Sequence, residues 1–570
     1  MTANIPWALK SPDPQLVQSL AASLSLRRAT AACLVNRGIS SHEDAEPFLL
    51  PRLSALAPPT DLPELERAAE RVASAVFAQE RIGVFGDYDV DGITSASVVT
   101  LFLRHLRLEA ETQIADRFSG YGLGVDAMEE FKARGCSLVI AVDLGTSDHE
   151  AAETAKRAGI DLIVIDHHSV VGAHPDVYAF VNPQRQDCGF SDKGLAAVGL
   201  SFYFVAAVRT VLSERGYLNK EDLDIRFLLD LVALGTVADV MPLRGNNRIL
   251  VSHGLRQLSE SPRIGLRKLM RVARIRANHI RSDHIAYQLA PRLNAAGRLG
   301  RATEAFELLT ASDPGNAEEL ALRLDQFSME RRQLENEVLD DARRKIADER
   351  ERRSLPITFV SGDGWHRGVL GIVASRLVEE TGLPAFVVGF DNEEGIGSVR
   401  GRGHFNVYEG LAACAEHLKR FGGHRDAAGF TVDKSKVDDL KTALSAYAAA
   451  YGVGTVEEPL QCDARLLASE IDAELAFEIS RLGPFGAGNP EPVFDIDGLF
   501  VLEQRVIGGD HLKLELKTPS GRISAFGPRM AGVAGTLPPL IRTAAHISPD
   551  EWRGNGEPEL RLVVPPIAGN

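Results

Sequence analysis

Three acidic residues within five positions follow a short apolar segment near the start of the chain. The sequence RIGVFGDYDVDG places Asp87, Asp89 and Asp91 directly after the strand-like pattern of residues 81–86. Carboxylates this close together repel one another unless something compensates their charge. Either the loop is solvated and the acids are incidental, or the acids bind a cation.

Further metal-capable side chains follow three other strand-like apolar segments of the same region, so four predicted strands end in such residues. They are Asp143 in LVIAVDLGTSDH, Asp166, His167 and His168 in LIVIDHH, and Asp239 in LLDLVALGTVADVMPL. An aspartate after a strand is commonly a turn residue or a helix N-cap, and an isolated His-His pair is commonly a surface feature. Their recurrence at the ends of four segments favours one shared site. Carboxylates with imidazole suit Mn²⁺ or Mg²⁺, and a carboxylate-bridged pair of such ions can hydrolyse a phosphodiester.

Alternating strand and helix patterns predict the scaffold that gathers these residues. Short β-branched runs such as CSLVIAVD and GIDLIVID are separated by amphipathic segments such as SDHEAAETAKRAG. This alternation is typical of βαβ units and a parallel sheet. Because ligands of such sheets bind at the carboxyl ends of the strands, we expect the acids and histidines at one edge. The predicted fold class is an α/β multidomain protein with a parallel-sheet domain.

Changes of pattern along the chain predict five segments. A proline-broken helical stretch comes first, and short alternating strands with Gly and Pro come last. Between two α/β regions lies a long charged helix, which is predicted to span solvent. The expected boundaries are 1–75 for a helical lead-in, 76–315 for the catalytic α/β domain, 316–354 for the connecting helix, 355–454 for a smaller α/β domain and 455–570 for a DNA-binding β-barrel of the OB-fold type.

Composition excludes several classes of protein. The five cysteines form no CxxC pair, which argues against a disulfide framework or a structural zinc site. We expect neither a signal peptide nor an apolar run of the ~18 residues that a membrane span needs, and therefore a cytoplasmic protein. The net charge of −15 conceals a run with ten Lys or Arg and one acid between residues 263 and 301. That run is either a solvated helix face or a surface for an anionic polymer.

Seven segments carry a resemblance when they are taken together. They are DYDVDG at 87–92, VDLGTSDH at 142–149, DHH at 166–168, GTVADVMPL at 235–243, APRLNAAGRLGRA at 290–302, GWHRGVLGIVASRL at 364–377 and GGHRDAAGF at 422–430. The first four resemble the motifs of the DHH phosphoesterase superfamily, and the last resembles the GGH signature of its DHHA1 domain. The other two narrow the resemblance to the RecJ family of bacterial exonucleases. The resemblance implies a 5′→3′ exonuclease that degrades single-stranded DNA to mononucleotides in recombination and repair, built from a DHH domain, a connecting helix, a DHHA1 domain and an OB-fold.

The resemblance also implies which residues hold metal. Two Mn²⁺ or Mg²⁺ ions would be bound by Asp89, Asp91, Asp143, His167 and Asp239. Asp143 would bridge the ions, while Asp87 and Asp166 would lie behind the ligands and orient His167. Some relatives have a histidine four residues before the first liganding aspartate, and this chain has Phe85 there.

A second group of residues is implied in catalysis and DNA binding. The catalytic residues would be His168, His424 and Arg298, and the substrate-binding residues would be Arg117, Tyr121, Ser398, Arg400, Gly422 and Gly423. The backbone of a Gly-Gly turn can approach a phosphate closely, an arginine fork binds two phosphate oxygens, and a tyrosine can stack on a base. Each feature alone also fits a structural role, such as a helix-capping Gly-Gly pair. The implied partners are single-stranded DNA, a single-strand-binding protein and a RecQ-type helicase.

Two other functions stay open on the sequence. One is a DHH phosphodiesterase of cyclic dinucleotides or short oligonucleotides, and the other is a catalytically inactive DHH protein that serves as a replication scaffold. The barrel-like tail and the basic run favour a longer polymer. The filled ligand positions favour an enzyme.

Overall fold

A computed structural model describes residues 7–118, 122–219, 221–260, 263–276, 280–350, 355–451, 459–550 and 556–569. The backbone forms two compact units. The first unit comprises Met1–Pro291, Thr303–Ala321 and Pro459–Asn570, and the second comprises Arg292–Ala302 and Leu322–Glu458. Each unit has its own sheets and apolar core.

The N-terminal segment is a short strand followed by three helices. They are β1 (Trp7–Leu9), α1 (Pro14–Leu24), α2 (Arg28–Val35) and α3 (His42–Leu49). Helix α1 begins after Asp13, whose side chain accepts a hydrogen bond from the backbone N–H of Gln15. Ser41 caps α3 in the same way. Both starts follow the preference of short polar side chains for the N-cap position.

A five-stranded sheet lies at the centre of the first unit. The elements along residues 65–310 are α4 (Leu65–Ala78), β2 (Ile82–Gly86), α5 (Val90–His105), β3 (Glu111–Ile114), α6 (Val125–Ala133), β4 (Leu138–Val142), α7 (His149–Ala158), β5 (Asp161–Ile165), β6 (Ala179–Val181), α8 (Ala197–Glu214), α9 (Leu229–Ala238), α10 (Gly245–Glu260), α11 (Ile264–Val272), α12 (Ser282–His284), α13 (Ala290–Arg298) and α14 (Ala302–Thr310). Most of α13 belongs to the second unit. The strand order is β3–β2–β4–β5–β6, and all neighbours are parallel. Strands β2 and β4 are buried along their whole length, as expected for the interior of a parallel sheet. The turns after β2, β4 and β5 therefore meet at one edge, and the prediction of a parallel-sheet domain is confirmed.

Helix α8 corrects the expectation that the chain has no apolar segment of membrane-spanning length. Its 18 residues have a mean hydropathy of 1.3, which by length and composition alone would suffice to cross a membrane. However, 67% of that stretch is buried inside the fold. The helix packs against α4, α5 and α9. Its apolar character therefore matches that of a core helix, which is apolar all round because it has neighbours all round.

The long helix α15 (Pro314–Arg350) links the two α/β regions along the chain. In the second unit, one face of α15 packs through Val338, Leu339 and Ala342. These side chains share an apolar cluster with Val373 and Leu377. This part of the helix is therefore a packed element, although its charged sequence predicts a helix that spans solvent.

The second unit is built on a mixed sheet. Its elements are β7 (Thr358–Asp363), α16 (Leu370–Thr381), β8 (Ala385–Asp391), β9 (Glu394–Arg400), α17 (Val407–Ala413), β10 (Arg420–Gly423), β11 (Ala427–Asp433) and α18 (Val437–Ala450). The strand order is β10–β11–β9–β8–β7, in which only β7 and β8 are parallel. This arrangement confirms a second, smaller α/β region.

The C-terminal part of the chain forms a barrel. Its elements are β12 (Leu460–Cys462), β13 (Ala464–Leu467), α19 (Ala473–Ser480), β14 (Phe494–Ile507), β15 (His511–Thr518), β16 (Gly521–Gly527), β17 (Leu540–Pro549), β18 (Pro558–Leu562) and β19 (Ile567–Ala568). The pairings run β14–β15–β16–β18–β17 and return to β14, which closes a five-stranded barrel. Along β15, buried and more exposed residues alternate, because alternate side chains point into and out of a barrel. The prediction of an OB-type barrel is confirmed.

The N-terminal helices share an apolar core with this barrel. Val17, Leu20 and Leu34 belong to the same buried cluster as Ile496 and Leu514. In addition, β1 pairs in parallel with β12. The segment that the sequence describes as a lead-in to the first α/β domain is therefore packed against the opposite end of the chain.

Candidate metal centre and phosphate-binding residues

The turn after β2 brings Asp87, Asp89 and Asp91 to the start of α5. Asp89 is the N-cap of α5, and its side chain accepts a hydrogen bond from the N–H of Gly92 at 3.1 Å. A Cβ on Gly92 would lie 2.5 Å from the backbone nitrogen of Asp87, so only glycine lets the turn close this tightly. The glycine thus permits three carboxylates to crowd at the strand end.

Asp91 lies in the first turn of α5 and faces the N-terminus of α8. Its two carboxylate oxygens accept hydrogen bonds from the N–H groups of Ala197 and Val198 at 2.8 and 3.0 Å. The first N–H groups of a helix have no partner within the helix, and they carry a partial positive charge. Helix α8 therefore fixes the orientation of a buried acid.

Asp143 follows β4 in an unusual backbone conformation. Its φ angle is +65°, in the left-handed region that non-glycine residues rarely adopt. Its N–H donates to the carbonyl of Ile165 at 2.9 Å, so the sheet holds the residue in place. The residue is 1% exposed, and its Oδ1 atom has no hydrogen-bond partner among the described residues.

Asp166 anchors the loop that carries the two histidines. Its carboxylate accepts hydrogen bonds from the N–H and the hydroxyl of Thr146 at 3.1 and 2.5 Å. The backbone N–H of His167 donates to it at 2.7 Å, and Nδ1 of His168 lies 2.7 Å from the same carboxylate. Burial raises the pKa of Asp166, but the hydrogen bonds from His168 and Thr146 outweigh it and lower the pKa to about 2. Asp166 is therefore an anion that orients both histidines.

His167 stands between three carboxylates from three other elements. Its Nε2 atom lies 3.3 Å from Oδ1 of Asp143, 3.7 Å from Oδ2 of Asp239 and 3.8 Å from Oδ2 of Asp91. Burial and the charge of the neighbouring His168 lower the pKa of His167 to about 4. A neutral imidazole with a ring nitrogen available is the form that binds a metal ion.

Three overlapping groups of side chains could each hold an ion. They are Asp91 with His167 and Asp239, Asp143 with His167 and His168, and Asp87 with Asp89 and Asp143. In each group one ligand atom from every residue lies within 4.8 Å of the others. Asp143 and His167 belong to two groups each, so the groups form one continuous centre.

The electrostatics of this centre require a compensating charge. Burial and the charge of Asp89 raise the pKa of Asp87 to about 8, and the same causes raise the pKa of Asp239 to about 7. Burial and neighbouring aspartates also raise the pKa values of Asp91 and Asp143 well above the usual range. Oδ1 of Asp87 is buried without a hydrogen-bond partner among the described residues, as is Oδ1 of Asp143. Unsatisfied carboxylate oxygens beside a neutral imidazole are a donor set that fits Mn²⁺ or Mg²⁺.

The loop after β3 approaches this centre through an arginine. The guanidinium of Arg117 lies 5.2 Å from the ring centroid of Tyr88, which is flanked in sequence by Asp87 and Asp89. Asp148 fixes the far end of the loop, since its carboxylate accepts a hydrogen bond from the N–H of Leu123 at 2.6 Å. Tyr121, the other residue implied here, lies outside the described residues.

In the second unit, Ser398 and Arg400 lie on β9 beside the start of α16. The Arg400 guanidinium donates to Oγ of Ser398 at 3.3 Å. A Cβ on Gly371 would lie 3.0 Å from the Arg400 guanidinium and 3.1 Å from Oγ of Ser398. A hydroxyl, a guanidinium and the N-terminal turn of a helix therefore meet at one place, which suits a phosphate group.

The GGH residues form an exposed strand end rather than a helix cap. Gly422 and Gly423 end β10, and the N–H of His424 donates to the carbonyl of Ala427 at 2.8 Å across the turn to β11. Gly423 has a φ of +141°, and a Cβ there would lie 2.5 Å from the Cα of Ala428. The turn therefore requires glycine, and His424 is exposed at its tip.

Arg298 ends α13, and its guanidinium donates to the carbonyl of Gly368 at 3.1 Å. Gly368 lies in the segment GWHRGVLGIVASRL that leads into α16. Arg298 thus contacts the segment that precedes α16. The first turn of α16 lies beside Ser398 and Arg400. This contact places it in the same unit as the other phosphate-binding candidates.

Comparison with known proteins agrees with this architecture. Family models match the chain at residues 81–236 (DHH family, N-terminal domain), 354–450 (DHHA1 domain) and 462–563 (RecJ OB domain). The single-stranded-DNA-specific exonuclease RecJ of Bacillus subtilis is 34% identical over 574 residues, which cover 99% of this chain and 71% of that protein. The chain belongs to the RecJ family.

Crystal structures of a RecJ protein with metal also resemble this chain. RecJ of Thermus thermophilus in complex with Mn²⁺ matches with a TM-score of 0.80 and 29% identity, covering 100% of this chain and 80% of that one. The same protein in complex with Mg²⁺ matches with a TM-score of 0.74 and 28% identity, covering 99% and 79%. These are the two ions that the sequence predicts for the acidic centre.

In this RecJ-family chain the predicted ligands come together. The three groups contain all of Asp89, Asp91, Asp143, His167 and Asp239. The prediction that Asp239 follows a strand is wrong, because it follows helix α9, whose buried apolar run has the composition of a buried strand. They also contain Asp87, which the sequence places behind the ligands, whereas Asp166 is saturated by hydrogen bonds. Phe85 is 7% exposed and packs edge-on against Phe131, so no polar group replaces the histidine of some relatives at that position. The ligand roles themselves stay predictions.

Sequence reasoning missed one polar residue that touches two loops of the metal centre. Asn247 lies in the first turn of α10 and contacts the segments after Asp239 and before α8. The segment GNNR that contains it has no spacing that signals chemistry. Only the folded contacts single it out.

Proposed function

We propose that the chain is a metal-dependent exonuclease that degrades single-stranded DNA in the 5′→3′ direction to mononucleotides, and that it acts in DNA recombination and repair. The observation that carries the proposal is the convergence of carboxylates and a neutral imidazole at one sheet edge, with ligand atoms within 4.8 Å of one another in three groups. The RecJ relatives, which are named single-stranded-DNA-specific exonucleases, support the choice of substrate.

Two Mn²⁺ or Mg²⁺ ions would be held by the following side chains: Asp89, Asp91, Asp143, His167 and Asp239. Asp143 is the best candidate to serve both ions, because it belongs to two of the three groups and because a carboxylate, unlike an imidazole nitrogen, can bridge two ions. Asp87, with its unsatisfied Oδ1 atom, joins the ligand candidates. When bound, such ions lower the pKa of a water molecule and neutralise the charge that develops on the phosphate.

His168 is the residue that would meet the scissile phosphate. Burial lowers the pKa of His168, but its hydrogen bond to Asp166 and the surrounding carboxylates raise the pKa to about 9. In the metal-free protein the side chain is therefore a cation near neutral pH, and it is 37% exposed. With Nδ1 engaged by Asp166, the Nε2–H group can donate to a phosphate oxygen and offset its charge.

The other candidates would bind the strand. Ser398, Arg400 and the N-terminus of α16 form a site for the terminal 5′-phosphate, which explains the proposed polarity. Arg298 and His424, the other catalytic candidates, would contact the phosphate that is cleaved, together with the backbone of Gly422 and Gly423. The strand itself would contact Arg117 and Tyr121. The exposed glycine backbone suits this role, because it lets an anion approach closely.

The barrel offers a surface for longer strands. Phe500, Lys517 and Arg522 lie side by side on β14, β15 and β16, since Phe500 pairs with Lys517 and Lys517 with Arg522. All three are exposed. An aromatic ring beside two cations is the combination that binds single strands without sequence preference. This row favours a polymer over a dinucleotide substrate.

We further propose that the chain works in the cytoplasm with a single-strand-binding protein and a RecQ-type helicase. A nuclease that requires single strands depends on a protein that opens duplex DNA and on one that keeps strands apart. The family membership and the exposed row on the barrel support this assignment. Pull-down of the purified full chain with each purified partner, with and without DNA, tests it.

A cleavage assay tests the proposed activity. Single-stranded DNA, duplex DNA and a dinucleotide, each labelled, are incubated with the full chain and Mn²⁺, or with EDTA. We expect loss of the single strand only, stopped by EDTA and abolished by Asp143→Ala. Asp187→Ala serves as the matched control, because Asp187 is an exposed acid of the same region whose partner is Arg185.

The other outcomes distinguish the alternative functions. Cleavage of the dinucleotide alone would indicate a small-substrate phosphodiesterase. Binding of single strands without cleavage in any metal would indicate an inactive scaffold. Digestion that continues in EDTA would refute the role of the acidic centre.

A further inference from the structure

Asn247 joins two loops that are far apart in sequence. Its side chain is 1% exposed, in the first turn of α10. The Nδ2 group donates to the carbonyl of Gly194 at 2.6 Å and to the carbonyl of Pro242 at 3.1 Å. The Pro242 carbonyl belongs to the loop after Asp239, and the Gly194 carbonyl belongs to the loop before the α8 N–H groups that bind Asp91.

Pro242 lies three residues after Asp239. Between them, Val240 has a φ of +58°, and the N–H of Met241 returns to the carbonyl of Thr236 at 3.2 Å. A β-branched residue in the left-handed region is strained, so the turn needs contacts that hold it. The bond from Asn247 to the Pro242 carbonyl is such a contact. By restraining this turn, the hydrogen bond from Asn247 helps to fix the orientation of the Asp239 carboxylate.

Gly194 lies three residues before Ala197, at the entry to α8. The N–H groups of Ala197 and Val198 hold the Asp91 carboxylate. The N–H of Gly194 itself donates to Oδ1 of Asp192 at 3.2 Å. Side-chain hydrogen bonds therefore hold both the N–H and the carbonyl of Gly194. The hydrogen bond from Asn247 to the Gly194 carbonyl therefore helps to fix the two N–H groups that orient Asp91.

Asp91 and Asp239 belong to the same candidate group, together with His167. We propose that Asn247 is a positioning residue that sets these two carboxylates relative to each other, and so controls the affinity for one of the two divalent ions. The inference rests on the proposed function, because it presumes that the acidic centre binds metal. It adds a residue that touches no ligand atom itself.

The chemistry of the side chain supports this role. Its Oδ1 atom is buried without a hydrogen-bond partner among the described residues, so both of its observed bonds are donated by the amide nitrogen. A buried unsatisfied oxygen is costly, and an apolar side chain of similar size would avoid that cost. What an apolar side chain lacks is a nitrogen that can bind two carbonyl groups at once.

Mn²⁺ binding to the full-length chain tests the proposal. Isothermal titration and the electron paramagnetic resonance signal of free Mn²⁺ are measured for wild type, Asn247→Ala and Asn36→Ala. Asn36 is the matched control, because its Nδ2 group also donates twice, to the backbone and side-chain oxygens of Asp463 at 3.1 Å, and thereby joins the N-terminal segment to the C-terminal part of the chain. Thermal unfolding in EDTA reports the structural cost of each variant.

We expect Asn247→Ala to weaken one of the two Mn²⁺ sites by about 10- to 100-fold and to leave the other unchanged, as is common when a residue behind a ligand is removed. Asn36→Ala should lower the unfolding temperature without changing either affinity. Excess Mn²⁺ should restore cleavage by Asn247→Ala. If that variant does not fold, Asn247→Ser, which keeps one donor, should show a smaller shift in the same site.

Failure of this inference can be distinguished from failure of the proposed function. Equal Mn²⁺ affinities in wild type and the Asn247 variants would overturn this inference alone, as would an equal shift in the Asn36 variant. A wild-type chain that binds no Mn²⁺ would overturn the proposed function as well.

Discussion

Replacing Asp239 by asparagine should stabilise the metal-free protein while reducing the stability that it gains from metal. Burial and the charge of Asp89 raise the pKa of Asp239 to about 7 from 3.8. The folded state therefore holds this proton more tightly than the unfolded chain does. The free energy of unfolding of the metal-free protein must therefore fall as pH rises from about 4 to about 7. Above that range Asp239 is ionised in both states, and its full destabilising effect on the folded state is present.

The size of the effect follows from the pKa difference. A difference of about 3 corresponds to roughly 4 kcal/mol, because each pH unit contributes about 1.4 kcal/mol. Near pH 5 most of the folded protein still carries the proton, so the cost is only about 2 kcal/mol. The amide of Asp239→Asn carries no charge and avoids the cost at either pH. The advantage of the variant should thus be larger at about pH 8 than at about pH 5.

Thermal unfolding of both proteins in EDTA at the two pH values measures this difference, and repetition with Mn²⁺ measures the response to metal. Wild type should gain stability from Mn²⁺ because the ion neutralises the crowded carboxylates. The variant, which lacks one ligand charge, should gain less. Asp187→Asn, at an exposed ion pair, is the control for a change of net charge. A variant that unfolds below wild type in EDTA near pH 8, or that gains as much from Mn²⁺, would refute the electrostatic account.

Four further predictions test other parts of the molecule. Val240→Gly should relieve the left-handed strain and raise stability in EDTA by about 1 kcal/mol, measured by thermal unfolding, and a lower value would show that the turn is not strained. Arg400→Ala should remove the preference for a 5′-phosphorylated end in cleavage assays, whereas equal loss on phosphorylated and unphosphorylated ends would contradict a terminal-phosphate site. Phe500→Ala should weaken binding of single strands at every salt concentration. Joint replacement of Lys517 and Arg522 by glutamate should also make the salt dependence shallower, by a slope of about 0.7 for each phosphate that is no longer neutralised, and an unchanged slope would exclude the row from the DNA path.

The sequence predicts the metal centre well because most of the candidate ligands directly follow short apolar segments that can be recognised locally. Asp89, Asp143 and His167 each follow a strand, and parallel strands bring their carboxyl ends to one edge whatever the rest of the chain does. The motif order then identifies the family. What local pattern cannot give is the charge state of each acid, because burial and neighbouring charges decide it only after folding. Asp87 and Asp166 show this, since one is left unsatisfied and the other is saturated.

Contacts between distant segments escaped prediction for a different reason. Asn247 is an ordinary polar residue in a helix, and its role depends on two carbonyl groups contributed by loops elsewhere. The need for glycine at position 371 likewise becomes visible only in the fold, where a Cβ would lie 3.0 Å from the Arg400 guanidinium. Such pairings leave no periodicity in the sequence, since a single hydrogen bond or close approach constrains one position and not its neighbours.

The packing of the chain ends decides how the barrel should be tested. Leu20 and Leu34 are buried in the cluster that the barrel completes, and the guanidinium of Arg248 in α10 donates to the carbonyls of Leu482 and Gly483 at 3.0 and 2.6 Å. Removing residues 456–570 would expose that apolar surface and leave a buried cation without these acceptors, which is strongly destabilising. A truncated chain that binds DNA poorly would then report on folding as much as on binding. Substitutions confined to the exposed row on β14, β15 and β16 leave the shared core intact, so a loss of affinity in them can be assigned to contacts with the strand.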